Sequence, residues 1–130
     1  MKYFQTLFVL FISFCLISAS AADKIKYTGT FSSLEYNEEG GDLLGVELRI
    51  VYTDKGYQGM LQIAEGNIST VMIVSPKFTG EKITFLIDSS ETYKSTFEGV
   101  IDNEKIVGKI KFYTGGEMQL RLPRKKSYWD

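Results

Sequence analysis

The sequence predicts an all-β fold, and three observations support this prediction. Apolar and polar residues alternate with a period of two along eight segments after residue 23. Short clusters of Gly, Asn, Asp and Ser separate these segments, as is typical of tight turns between strands. No segment after residue 22 carries the apolar stripe of a surface helix. We therefore expect a single antiparallel meander of eight strands in one domain, residues 23–130.

The eight predicted strands follow one another with short connections. The alternation within each strand indicates which residues face inward, except in one strand that is apolar on both faces. Both prolines, Pro76 and Pro123, lie at strand ends, where a missing N–H costs least. In chain order the strands lie in KYTGTFSSL with Tyr27 and Phe31 inward, GVELRIVYT with Val46, Leu48, Ile50 and Tyr52, YQGMLQIAEG with Tyr57, Leu61 and Ile63, STVMIVS with both faces apolar, KITFLID with Ile83, Phe85 and Ile87, YKSTFEGVI with Phe97 and Ile101, KIVGKIKFY with Ile106, Ile110 and Phe112, and EMQLRLP with Met118, Leu120 and Leu122.

A closed barrel is the architecture that we expect from this meander. Closure removes the exposed edges of a long sheet, which would otherwise promote aggregation. Glycines inside strands suit the tight bends at barrel corners, and Gly99 and Gly108 hold equivalent places in one predicted hairpin. A two-sheet β-sandwich is the alternative, because the same alternation permits it.

The first 22 residues have the composition of a cleaved signal peptide. Lys2 gives a positive start, residues 7–17 are almost wholly apolar, and small residues follow from Ala19 to Ala22. The apolar run is shorter than the roughly 20 residues of a membrane-spanning helix. We expect export to the periplasm or the extracellular space, without stable membrane insertion after cleavage. The only cysteine, Cys15, lies in this segment, so disulfides are not expected in the remaining chain.

Composition excludes several kinds of activity. The chain contains no histidine, and no cysteine after residue 15, so Ser-His-Asp and Cys-His nucleophiles and the usual zinc sites are excluded. Without Lys2 the charges are 14 basic (15 minus one) against 16 acidic, a net charge of −2. A nucleic-acid partner would need a basic surplus and a recognisable binding module. We expect neither an enzyme nor a nucleic-acid-binding protein, and no cofactor.

The barrel interior is the first candidate binding site. An eight-stranded barrel is just wide enough to be filled by side chains or to hold one small ligand. We expect a small apolar or amphipathic ligand in the interior or at its mouth, with a filled core as the alternative. The aromatic residues expected to line this site are Tyr27, Phe31, Tyr52, Tyr57, Phe85, Phe97 and Phe112.

The acidic segment SLEYNEEGGDLLGVEL, residues 33–48, is the second candidate site. We expect a hairpin turn here. Its exposed residues are also the candidates for contact with a protein partner, since loops carry binding surfaces more often than strands do. A calcium site is a further alternative, but the spacing does not match an EF-hand, so no metal site is predicted. The partner-binding residues would be Tyr36, Asn37, Glu38, Glu39 and Asp42.

Two further features have simpler interpretations. Glu47 and Glu98 could form the carboxylate pair of a glycosidase, but their strand positions place them on the outward, solvated face. Near the end of the chain, RKKSYWD contains the only tryptophan. We expect Tyr128 and Trp129 to cover one barrel end; the alternative is contact with an anionic envelope surface or a protein.

Two resemblances follow from these motifs. The meander that opens with YTGTF resembles the calycin-type barrels, which include avidins and lipocalins, although Phe31 stands where the lipocalin Gly-x-Trp has tryptophan. The segments SSLEYNEEGGDLLGVEL, IVYTDKGYQGMLQIAEG and LPRKKSYWD resemble a family of small exported bacterial proteins of unknown function. The second resemblance implies an envelope location and no assigned activity.

The function that we expect is therefore non-enzymatic binding outside the cytoplasm. The first hypothesis is a protein that holds a small apolar or amphipathic ligand in or at the mouth of a β-barrel. The alternative is a protein-interaction module, such as an inhibitor of an extracytoplasmic hydrolase, whose partner is an envelope protein.

Overall fold

The structure is a computed structural model that describes residues 23–68, 70–89 and 93–130. The predicted signal peptide, residues 1–22, lies outside the described residues. Within the described ranges no helix is long and apolar enough to cross a membrane. The chain forms strands β1 (Gly29–Ser32), β2 (Glu35–Asn37), β3 (Asp42–Thr53), β4 (Gly56–Gly66), β5 (Met72–Val74), β6 (Lys77–Thr79), β7 (Lys82–Ser89), β8 (Tyr93–Ile101), β9 (Lys105–Phe112) and β10 (Glu117–Pro123).

These strands form two antiparallel sheets, which confirms the all-β class. The first sheet has the order β1-β3-β4-β5, with β2 also paired to β3. The second sheet has the order β10-β9-β8-β7-β6. The two sheets do not close into the barrel that we expected, and the two-sheet alternative fits the structure.

The barrel stays open because few backbone bonds join the edges of the two sheets. At one edge β5 pairs with β4 and β6 pairs with β7, and the chain crosses between them at Ser75 and Pro76. Proline has no N–H to continue a ladder, and no ladder joins β5 to β7 among the described residues. At the opposite edge a single bridge pairs Phe31 with Arg124.

Two short strands, β2 and β6, account for the difference from the eight predicted strands. β1 and β2 pair with β3 in one register but are interrupted at Ser33. Its hydroxyl oxygen accepts the N–H of Val46 at 3.0 Å, so a side chain replaces part of the ladder. Gly45 lies beside this break with a φ of +114°, and a Cβ there would lie 2.2 Å from the carbonyl oxygen of Ser33. Only glycine fits such a close approach.

Side chains from both sheets fill the space between them. Most of the predicted inward positions on the longer strands are buried, so the alternation in the sequence located the core correctly. Removal of this apolar surface from water is the main favourable contribution to folding. The core cluster consists of Phe31, Val46, Leu48, Ile50, Leu61, Val74, Ile83, Phe85, Ile87, Phe97, Ile101, Ile106, Ile110, Leu120 and Leu122.

The paired glycines of the second sheet make room for an aromatic ring. Gly99 and Gly108 lie opposite each other in the β8–β9 ladder. A Cβ at Gly99 would lie 2.5 Å from the carbonyl oxygen of Val107 and 2.9 Å from Cζ of Phe97. A Cβ at Gly108 would lie 2.3 Å from the carbonyl oxygen of Glu98 and 2.6 Å from the same Cζ, and all four distances are closer than real Cβ contacts. The glycines that we expected at barrel corners therefore create space for Phe97 inside the sandwich.

Arg124 connects the two sheets where their ladders end. Its guanidinium donates hydrogen bonds to the carbonyl oxygens of Thr28 at 2.6 Å and Asn103 at 2.8 Å, and also to that of Lys26. The guanidinium carbon lies 4.4 Å from the ring centre of Phe31, a cation–π contact. Burial lowers the pKa of the guanidinium, which nevertheless remains charged at any ordinary pH.

We expect Arg124→Met to lower the free energy of unfolding by about 2–3 kcal/mol, because hydrogen bonds from a charged donor are lost while the apolar stem is kept. Urea unfolding followed by far-ultraviolet circular dichroism measures this difference. Arg121→Met is the matched control, since Arg121 is exposed on β10, and should change stability by less than about 0.5 kcal/mol. Equal stability of the two variants would contradict the role assigned to Arg124.

Candidate functional site

Three of the seven predicted ligand-binding aromatics are core residues. Phe31, Phe85 and Phe97 are at most 6% exposed. The rings of Phe85 and Phe97 stack with their centres 4.8 Å apart. All three pack within the core cluster, which agrees with the filled-core alternative for the interior.

A second group of aromatics packs against the edge of the core. The ring of Tyr27 stacks on Phe78 at 4.0 Å, and Tyr57 meets Phe78 edge-on at 5.0 Å. The Tyr27 hydroxyl donates a hydrogen bond to the carbonyl of Gly80 at 2.7 Å, which fixes this ring. Phe112 is also half-buried against the core. These rings are therefore held by contacts with one another and with the core.

The burial expected for Tyr52 in the interior is wrong, because its side chain is 69% exposed. β3 and β4 continue past the core to the turn between Thr53 and Gly56, where a side chain on the inner face meets solvent. The ring of Tyr52 contacts only one aromatic neighbour among the described residues, Tyr57, at 4.9 Å.

The five predicted partner-binding residues lie together at the tip of one hairpin. β2 and the start of β3 form this hairpin, and Tyr36, Asn37, Glu38, Glu39 and Asp42 are all exposed. The Asn37 side chain accepts the N–H of Glu39 at 3.2 Å. Its main-chain carbonyl accepts the N–H of the residue at position 41 at 2.8 Å. These two bonds fix the turn, so the exposed acidic residues project from a defined backbone.

One side of this acidic hairpin is concave. An open groove of about 470 Å³ is lined by Glu35, Tyr36, Asn37, Glu38, Glu39 and Leu44. No group of three or more His, Cys, Asp or Glu side chains in the described part of the chain is arranged to hold a metal ion. The groove instead combines dispersed negative charge with two exposed apolar side chains, Tyr36 and Leu44.

Glu47 is buried, which corrects its expected position on a solvated face. Its side chain is 5% exposed and accepts hydrogen bonds from the Ser127 hydroxyl at 2.5 Å and from the Tyr128 N–H at 2.9 Å. Residues 125–130, the C-terminal tail, cover it. Glu98 does lie on the exposed face, 3.2 Å from Lys111. The two glutamates therefore lie on different sheets and form no pair.

The C-terminal tail lies across the outer face of the first sheet and does not plug an end of the fold. The Trp129 indole N–H donates to the Gln62 side chain on β4 at 2.9 Å. The Tyr128 ring meets the Trp129 ring edge-on at 4.9 Å. Arg49 on β3 pairs with Asp130 at 3.4 Å. We call this cluster of Arg49, Gln62, Tyr128, Trp129 and Asp130 the tail platform.

Sequence reasoning missed the residues that build the tail platform. Alternation places Glu47, Arg49 and Gln62 on the outer face, where solvent is the usual neighbour. Their actual neighbour is the tail, 67 to 81 residues further along the chain. The only local signal was the SYWD motif itself, which combines aromatic and polar residues but does not indicate where it binds.

A second concave region lies between β5 and β7. An open groove of about 480 Å³ runs along the gap that separates the two sheets. Ile73 and Leu86 on its rim are 63% and 53% exposed. Phe85 and Phe97 touch its floor but are almost fully covered by other side chains.

Comparison with known proteins identifies no relative. No protein-family model, no curated protein and no solved structure matches the chain. These comparisons neither support nor contradict the resemblances to calycin-type barrels and to a family of small exported proteins, and both stay predictions. The acidic hairpin, the tail platform and the groove between β5 and β7 are the three candidate functional surfaces.

We expect Glu47→Ala to release the tail, since the Ser127 hydroxyl and the Tyr128 N–H lose their acceptor. The fluorescence of the single tryptophan should shift to longer wavelength, and the free energy of unfolding should fall by about 1–3 kcal/mol. Glu98→Ala is the control and should leave the emission unchanged, because its ion pair is exposed. Identical emission from all three proteins would contradict the anchoring role of Glu47.

Proposed function

We propose that the protein is a non-enzymatic protein-interaction module that presents the acidic hairpin to a basic surface of its partner. The observation that supports this proposal is the fixed, exposed hairpin tip. Its turn is held by the two Asn37 hydrogen bonds, and its carboxylates project into solvent. A loop that is already ordered loses less conformational entropy on binding than a flexible one.

The charge of the hairpin favours a basic partner. Residues 33–47 contain five acidic side chains and no lysine or arginine. Four of the five, Glu35, Glu38, Glu39 and Asp42, are exposed. Concentrated charge of one sign accelerates association with a surface of opposite sign and selects against other partners.

Tyr36 and Leu44 give the same surface apolar contact area. They are 52% and 45% exposed on the two paired strands of the hairpin. Tyrosine is enriched in protein interfaces because its rigid ring buries a large area and its hydroxyl can form a hydrogen bond. A basic cleft with an apolar floor, for example in an extracytoplasmic hydrolase, is the partner that fits this combination.

We expect Glu38→Lys/Glu39→Lys to weaken capture of the partner without unfolding the protein. Tagged protein is incubated with an envelope extract of the source organism, and bound proteins are quantified by mass spectrometry. The control is Glu81→Lys/Glu104→Lys, which makes the same charge change at two exposed residues away from the hairpin. Recovery should fall about tenfold for the hairpin variant and stay unchanged for the control. Recovery by the wild-type protein should also fall at high salt, because exposed charges are screened.

Equal recovery of every captured protein by the wild type and both double variants would contradict the proposal. Far-ultraviolet circular dichroism and thermal unfolding of each variant verify that the fold is retained. A loss of recovery in both double variants would show a general charge effect and would also count against the hairpin.

A small apolar or amphipathic ligand is the second candidate function, and the groove between β5 and β7 favours it. Its volume of about 480 Å³ exceeds the roughly 300 Å³ that small-molecule sites require. Native mass spectrometry of protein purified from its own organism should then show a mass increase that Leu86→Glu removes. An unliganded mass under gentle ionisation would argue against this candidate.

A further inference from the structure

The tail platform holds one aromatic ring in a fixed orientation while leaving it open to solvent. Trp129 is 54% exposed although its indole N–H is bonded to Gln62 and its ring contacts Tyr128. The main-chain N–H of Trp129 also donates to the Ser127 hydroxyl at 3.3 Å, and that hydroxyl is bonded to the buried Glu47. A large apolar ring is thus exposed by a built scaffold, and not by a loose chain end.

A small pocket lies beside this ring. It has a volume of about 190 Å³, and Trp129 forms one wall. Met60 and Val71 contribute apolar surface, while Arg49 and Asp130 contribute polar groups. The pocket therefore combines an aromatic face with hydrogen-bond donors and acceptors at its edge.

We propose that this pocket binds a neutral carbohydrate, with one sugar ring stacked on Trp129. A pyranose has a C–H face that packs on an aromatic ring, whose negative face attracts the weakly positive hydrogens. Its hydroxyl groups lie around the edge of the ring, where the guanidinium of Arg49 donates and the carboxylate of Asp130 accepts. The site is shallow, so it suits one exposed unit of a longer glycan.

The electrostatics of the pocket favour a neutral ligand over a charged one. Arg49 and Asp130 already form an ion pair at 3.4 Å, and Glu47 is satisfied by the tail. The charged groups among the described lining residues are therefore already paired, and an ionic ligand would gain no free charge of opposite sign. A quaternary ammonium ligand would require several aromatic faces around the cation, whereas only Trp129 among the lining residues is aromatic.

This inference is independent of the proposed interaction through the acidic hairpin. The pocket at the tail platform and the groove of the hairpin share no lining residue. A tail-platform variant that loses glycan binding but still captures the protein partner separates the two proposals. A hairpin variant that loses partner capture but still binds glycan separates them as well.

The test uses the single indole of the wild-type protein as its probe. Cello-, chito- and xylo-oligosaccharides are titrated into uniformly ¹⁵N-labelled protein, and the Trp129 indole N–H resonance is followed by NMR. We expect at least one oligosaccharide to shift this resonance, with a Kd of about 0.1–1 mM as befits a single shallow site. No shift with any of the three glycan types, or binding that leaves the indole resonance in place, would overturn the proposal.

Variants then test which ring is responsible. Trp129→Ala should weaken binding of the same oligosaccharide at least about tenfold by isothermal titration calorimetry. Tyr113→Ala is the matched control, because Tyr113 is the most exposed of the described large apolar side chains, at 84%, and lies after β9 on the other sheet. Equal affinity of Trp129→Ala and the wild type would overturn the proposal. So would a Trp129-dependent protein partner that binds without any glycan.

Discussion

The contact of Arg124 with the chain segment before β1 is the constraint that joins the two sheets at the edge where their ladders end. Within the described part of the chain, neither pair of sheet edges is joined by a continuous ladder, so side chains must hold the sandwich together there. The guanidinium of Arg124 donates to the carbonyl oxygen of Thr28, just before β1 of the first sheet, and to that of Asn103, in the β8–β9 turn of the second sheet. The same guanidinium lies over the ring of Phe31. A planar guanidinium suits this task because it offers several donors in fixed directions.

The same junction leads the chain to the candidate functional surfaces. Beyond Arg124, the N–H of Lys125 donates to Thr30 at 3.1 Å, which directs the tail across β1 and onto the outer face of the first sheet. On that face the carboxylate of Glu47 accepts the N–H of Tyr128, and the side chain of Gln62 accepts the indole N–H of Trp129. The acidic hairpin extends from the same strand as Glu47, so β3 supports both proposed binding surfaces.

Much of the fold could be predicted because alternation is a local property. The inward positions Leu48, Ile83 and Ile110 are fully buried as their strand patterns indicate. Sheet closure depends instead on how many bonds form between segments far apart, and no local pattern encodes that number. Likewise Tyr52 obeys the alternation but lies where its strand leaves the core, and Glu47 is buried only because a distant tail covers it. The residues of the acidic hairpin lie together in the structure because they are neighbours in sequence, so a local pattern was enough to group them.

The bond between Arg124 and Thr28 spans 96 residues, which sets an order of events for the folding of the chain. Contacts this distant must close a long loop before they contribute, so they form late. Individual hairpins such as β8–β9 can form while the chain emerges, but the sandwich stays incomplete until the last residues arrive. The two sheets therefore become joined at this edge only after β10 and the residues that follow it have been synthesised.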